Sequence, residues 1–265
     1  RFFHQLVASQ LDIDRLDYLK RDCYYTGVSE GSISEERIIK MLNLVNDELV
    51  VEEKGIYSIE NFLNARRLMY WQVYLHKTVI STEQMVISIL KRAKSIFHQT
   101  SSIKHLPSFL PSLSFFLNQN IGVVDFQQDP NCIKQFANLD DHDIWSAIKL
   151  WVNSQDNVLS TISKNLLERK LFKVELTNHP CTKSHLQSIQ SKICKEFDVN
   201  EVDVNYFLIH GSLSNSAYIS EGETINILKK NGEIIDVAQA ADLPNIKAMS
   251  KIVKKYYVCY PKRNA

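Results

Sequence analysis

Residues 11–22 read LDIDRLDYLKRD, and the spacing within them decides what kind of fold carries them. Leu6, Leu11, Leu16 and Leu19 recur at helical intervals, and Gly27 stands where a left-handed residue ends a helix, so a helix is expected over roughly 12–25. On it Asp14, Tyr18 and Asp22 follow i, i+4, i+8 and form one stripe that drifts by only about 40° per step. A second helix is expected over 58–77, which contains no Gly or Pro. There Arg66, Tyr70 and Tyr74 repeat the spacing, while Leu63, Met69 and Val73 can face a core. A cation for phosphate oxygens, aromatic rings for a base or sugar, and a carboxylate for a metal are together what a nucleotide polyphosphate site needs. A plainer reading is also open: a solvated face in which Asp17 neighbours Arg21, and aromatic residues that simply fill a core. A calcium loop is excluded, because Asp12-x-Asp14 lacks the glycine and distal glutamate such loops use.

Outward from these helices, Ser34 opens another helix, and residues 49–53 alternate like a strand before Lys54-Gly55 turns the chain. Ser81 with Gln84 has the form of a capping box and predicts a helix to about Phe97. Pro107 and Pro111 break 106–117 into short helical pieces, and 139–151 and 156–167 each place apolar residues on one face. The texture changes near Arg169. Strands are expected over 171–176 and 204–209 with a helix over 182–197 between them, then a mobile loop over 211–222. Asn231-Gly232 predicts a tight hairpin between 225–229 and 233–237 with both central residues at positive φ. A helix over 244–253 and a strand over 256–260 complete the chain. The expected fold is mainly α: a helical bundle over 1–167 and a small α+β domain over 168–265.

Composition bounds the function. With 45% apolar and 23% charged residues in 265, the chain is a folded globular protein, and only 7 Gly and 6 Pro favour helices. Thirty-one Lys and Arg against 30 Asp and Glu give +1, so no global charge draws it to nucleic acid or to an anionic membrane. The five cysteines are odd in number and include no C-x-x-C pair, which predicts reduced thiols in a cytoplasm. No run is long enough to span a bilayer. The chain starts at Arg1 without a charged leader and apolar stretch, so an N-terminal part is expected to be missing and apolar surface on the first helices to be uncovered.

The runs SQLDIDRLDYLKRDCYYTGV (9–28) and ARRLMYWQVYLHKTV (65–79) resemble the HD-domain phosphohydrolases of the deoxynucleoside triphosphate triphosphohydrolase, dGTPase-like, type. LDDHDIWSAIKLW (139–151), RKLFKVEL (169–176) and LPNIKAMSKIVKKYYVCYPK (243–262) extend the resemblance over nearly the whole chain in the same order. It implies a helical fold, release of triphosphate from a nucleoside triphosphate substrate, a divalent ion (manganese, magnesium, cobalt, iron or zinc) and a homo-oligomer. Phe109, Phe115 and Phe116 are candidates for an interface or for core. In that family a histidine and a His-Asp pair join a later aspartate around the metal, and that aspartate is Asp14 here. The resemblance further implies that Arg15 contacts a phosphate, Tyr18 packs on the sugar and Asp22 accepts from a sugar hydroxyl. Arg66 and Tyr74 would meet the triphosphate and sugar, and Tyr70 stands where relatives can carry a histidine.

The upstream histidine and His-Asp pair have no counterpart in the required order. Phe3-His4 lacks the flanking sequence, and His142-Asp143 follows Asp14 instead of preceding it, so both are expected to be decoys. The chain alone is therefore expected neither to bind the metal tightly nor to hydrolyse nucleotides. The alternative is a non-catalytic regulatory or oligomerisation module descended from that family.

Overall fold

A computed structural model describes residues 1–99, 110–215, 224–241 and 253–262. The chain is mainly α. It opens with α1 (Phe2–Ala8) and α2 (Ile13–Thr26). Asp12 separates them by leaving helical geometry and accepting the Arg15 N–H at 2.7 Å, and Gly27 ends α2 at φ +71°.

After α3 (Glu35–Met41) the chain turns at once into β1 (Leu42–Val45), which pairs antiparallel with β2 (Glu48–Glu52). The loop is Asn46-Asp47, with φ of 52° and 62°, and supplies the two positive values that a two-residue turn requires. α4 (Ile56–Met69) runs on into one π-helical turn over Tyr70–Tyr74, where the Leu75 N–H reaches the Tyr70 carbonyl at 2.7 Å. α5 (Lys77–Gln99) then begins at Lys77 rather than at Ser81. The capping-box expectation fails because the Ser81 hydroxyl is buried and donates to the Phe172 carbonyl at 2.9 Å.

The next helices are α6 (Pro111–Asn118), α7 (Val123–Gln128), α8 (Pro130–Ala137), α9 (Asp141–Trp151) and α10 (Asn157–Leu167). Asp129, Asp140 and Asp156 cap α8, α9 and α10 with their carboxylates. β3 (Lys173–Thr177) and α11 (Lys183–Phe197) follow as expected. The strand expected over 204–209 is instead a 3-10 turn over Asp203–Tyr206, and β4 (Ile209–Asn215) begins where that strand was to end. Val204 and Phe207 are buried three residues apart, a spacing that suits the turn and not a strand. β4 also replaces the first part of the expected mobile loop; 216–222 and residues 244–252 of the helix expected over 244–253 lie outside the described residues, as does Phe109, while Val253, where that helix was to end, lies in a strand.

β5 (Asn226–Leu228) and β6 (Ile234–Asp236) make the expected hairpin by a different turn. Only Gly232 has positive φ, +85°, and Lys229 exchanges hydrogen bonds with Glu233 and Gly232, the pattern of a type I turn with a glycine bulge. α12 (Val237–Ala240) and β7 (Val253–Tyr260) complete the described elements.

The chain clusters into two compact units, Arg1–His76 with Ser212–Lys255, and Lys77–Gly211 with Tyr256–Ala265. The boundary expected at 167/168 lies inside the second unit. In the first unit the sheet order is β1-β2-β5-β6, with β5 parallel to β2 through Val50↔Asn226, and the core gathers Leu16, Leu19, Ile59, Phe62, Leu63, Met69 and Ile227. The Gln5 side chain ties α1 to the same sheet by accepting the Leu49 N–H at 2.7 Å. In the second unit α5 packs on α10 and on β3, and β3 pairs antiparallel with β7 from Lys173↔Tyr260 to Thr177↔Tyr256. All five cysteines are free thiols. No helix among the described residues is long and apolar enough to cross a membrane.

Candidate functional site

α2 and α4 bring their two stripes together within the first unit. At the start of α2, Arg15 is fixed by its backbone surroundings: its Nε donates to the Ser9 carbonyl at 2.8 Å and lies 3.2 Å from the buried Asp12 carboxylate. Burial pulls Arg15 down, but the Asp12 charge and the neighbouring Tyr18 more than offset this and hold its affinity for the proton above the ordinary value.

Arg66, near the end of α4, is only 7% exposed, and its Nε and Nη1 have no hydrogen-bond partner. The Tyr70 ring lies 5.9 Å from the guanidinium carbon. Burial lowers the Arg66 pKa, and the charge of Arg15 lowers it further, against smaller opposing effects of Tyr18 and Tyr70. A guanidinium nonetheless stays charged in a protein. Burying one with unpartnered donors carries a desolvation cost of several kcal/mol, and a cation–π contact returns at most about 2 kcal/mol. Two donor nitrogens held apart from solvent beside a second arginine can donate to the oxygens of an anion.

The π-helical turn sets the other side. It carries Tyr74 to Asp22, whose Oδ2 accepts the phenol at 2.8 Å. Tyr74 also meets Tyr18 and Tyr70 edge-on, with ring centroids 5.8 and 5.3 Å away. Burial, then the Asp22 hydrogen bond, push the Tyr74 phenol far up, so it remains a donor; burial and Tyr70 push Tyr18 up as well. Of the expected residues, Arg15, Tyr18, Asp22, Arg66, Tyr70 and Tyr74 are thus gathered, whereas Asp14 lies exposed in the first turn of α2.

Sequence reasoning overlooked the clamp of Asp12 and the Ser9 carbonyl on Arg15, although an aspartate three residues before Arg15 at a helix start is a capping signal. The π turn carries no comparable signal.

No three His, Cys, Asp or Glu side chains among the described residues form a group that could hold a metal ion. Asp14 alone offers one carboxylate, which does not fit a divalent site by itself. His142-Asp143 belongs to a capping box: Asp140 accepts the N–H of His142 at 2.8 Å and of Asp143 at 3.2 Å, and the Asp143 carboxylate accepts the Asp140 N–H at 3.1 Å. Asp17 and Arg21 form the exposed ion pair of the plainer reading, at 2.8 Å.

Residues 33–106 match the family described as HD associated region. The fold resembles the crystal structure of a phosphohydrolase from Bacteroides thetaiotaomicron with a TM-score of 0.89 and 48% identity, covering 99% of this chain and 64% of that one. The uncharacterized protein YwfO of Bacillus subtilis is 29% identical over 97% of this chain and 57% of its own length. The deoxynucleoside triphosphate triphosphohydrolase SAMHD1 homolog of Dictyostelium discoideum is 26% identical over 65% of this chain and 28% of its own length. The chain thus spans less than two thirds of the length of each. Together these likenesses support a place within the HD-domain phosphohydrolase family.

Proposed function

We propose that the joined faces of α2 and α4 bind the triphosphate and sugar of a deoxynucleoside triphosphate, in a protein that cleaves it to nucleoside and triphosphate. The observation that carries this reading is the pair of partnerless donors on buried Arg66 beside the fixed charge of Arg15. Nε and Nη1 face different edges of the guanidinium, so each donates to a separate phosphate oxygen of the triphosphate rather than both to one oxygen pair. Arg15, held by Asp12 and Ser9, adds a second charge without reorganising. Asp22 accepts from a sugar hydroxyl while it holds Tyr74, and the rings of Tyr18, Tyr70 and Tyr74 exclude water from one side. On this reading Asp14 is the one metal ligand that this chain contributes, and its single carboxylate does not hold a divalent ion by itself.

Calorimetry with deoxyguanosine triphosphate and with tripolyphosphate tests the site. Both bind the chain, and Arg66→Met weakens both about a hundredfold; no binding, or binding indifferent to Arg66→Met, overturns the reading. Turnover by the chain that disappears on Asp14→Ala would reveal ligands not recognised within it.

A second reading, a regulatory or assembly module, is favoured by the exposed Phe3, Val7 and Ile13 on α1 and α2. Sedimentation that stays monomeric at high concentration, and is unaltered by Phe3→Ser with Val7→Ser, removes its support.

A further inference from the structure

The second unit contains a cavity of about 370 Å³ between α11, the start of β3 and the end of β7. Its floor is apolar: Ile189 and Ile193 are buried, and Phe197 and Tyr260 present their rings. Phe197 is held in place by stacking on Phe207, with centroids 5.0 Å apart at 24°. The rim is basic, with Lys173, Lys192, Lys262 and His185 against a single lining carboxylate, Glu196.

Behind the rim lies Glu175, whose oxygens are consumed internally. Oε1 accepts from Lys173 Nζ at 2.7 Å and from the Tyr260 hydroxyl at 2.5 Å, and Oε2 lies 3.0 Å from His185 Nε2. These partners, Lys173 first, hold the Glu175 carboxyl down to about 2. Glu175 therefore orients the rim and stays an anion. Lys173 keeps one of its three donors after bonding Glu175 and Tyr260. Lys192 and Lys262 form no ion pair among the described residues. Counting Lys173, Lys192 and Lys262 against Glu175 and Glu196 leaves a formal +1 in a cavity whose other wall accepts a flat apolar group.

We propose that this cavity is a binding site for a small aromatic phosphate: the ring lies on Ile189, Ile193 and Phe197, and the phosphate is held by Lys192, Lys262 and the free donor of Lys173. The site is independent of the one on α2 and α4. It is tested by adding phenyl phosphate to the isotopically labelled chain and following amide shifts. Shifts confined to residues 173–197 and 260–262 are expected, with affinity about tenfold weaker for inorganic phosphate and for Lys192→Ala with Lys262→Ala. Both lysines are exposed, so the double variant should keep its dispersed spectrum. Phe197→Leu separates ring from charge by weakening phenyl phosphate while leaving inorganic phosphate unchanged. The proposal is overturned if millimolar phenyl phosphate shifts only α2 and α4 resonances, if inorganic phosphate binds equally well, or if the double lysine variant binds as tightly as the parent.

Discussion

A half-buried arginine and a buried one show how differently one side chain is used in the two units. In the second unit Arg92 grips Asp156 with two donors, Nε at 3.0 Å and Nη2 at 2.6 Å, while Nη1 meets Asp203 at 2.8 Å. Its guanidinium also lies 5.2 Å from the Tyr206 ring centre. Asp156 is simultaneously the cap of α10, so this cluster joins α5, α10 and the 3-10 turn. Arg66 in the first unit is at least as buried, yet two of its nitrogens have no partner. The satisfied arginine stabilises the fold; the one with two unpartnered nitrogens carries a desolvation cost.

The largest effect should come from breaking the satisfied cluster. Arg92→Ala strands two part-buried carboxylates and should destabilise the chain by about 3 kcal/mol in urea denaturation. The pH dependence sharpens this. Burial raises the Asp156 pKa, but the Arg92 hydrogen bond and the Leu159 N–H outweigh it, so the folded value lies below the ordinary carboxylate range. That stability is fully present above about pH 4 and is lost as pH falls through the lowered value. The parent should therefore lose more stability on acidification than Arg92→Ala; equal acid slopes would break the comparison.

Arg66→Met should do the opposite. Removing the guanidinium and its two unpartnered nitrogens should leave stability unchanged or raise it by about 1 kcal/mol, while weakening tripolyphosphate binding about a hundredfold. A large loss of stability instead would mean that Arg66 is structural, and the contrast would collapse. Tyr74→Phe deletes the phenol that Asp22 accepts and should cost about 1 kcal/mol, read as a shift in thermal midpoint without loss of helical signal. Smallest of all, His142→Ala should change stability by under about 0.5 kcal/mol and leave binding intact, because the capping box is built by Asp140 and Asp143. A measurable loss of binding would restore His142-Asp143 as part of a site.

Much of this was legible in the chain. The stripes Asp14–Tyr18–Asp22 and Arg66–Tyr70–Tyr74 lie on helices because apolar residues at helical spacing bury one face, and the caps at Asp140, Asp156 and Thr182 follow from short polar side chains that satisfy backbone N–H groups locally. These are interactions within a few residues, so sequence determines them. Ser81 shows where this fails: its local capping pattern gave way to a hydrogen bond with Phe172, a residue whose proximity no neighbouring residue encodes. The same holds for β2 pairing with β5 across 175 intervening residues, and for the type I turn chosen at Asn231-Gly232 instead of the two-residue turn.

At the candidate site, the sequence determined which residue types share a helix face. Only the tertiary structure decided that a π turn carries Tyr74 to Asp22 and that Arg66 enters the interior with two nitrogens unpartnered while Arg92 finds two carboxylates. Helix faces are set by backbone periodicity, but whether a buried charge is satisfied depends on which distant groups the completed fold brings within hydrogen-bond reach.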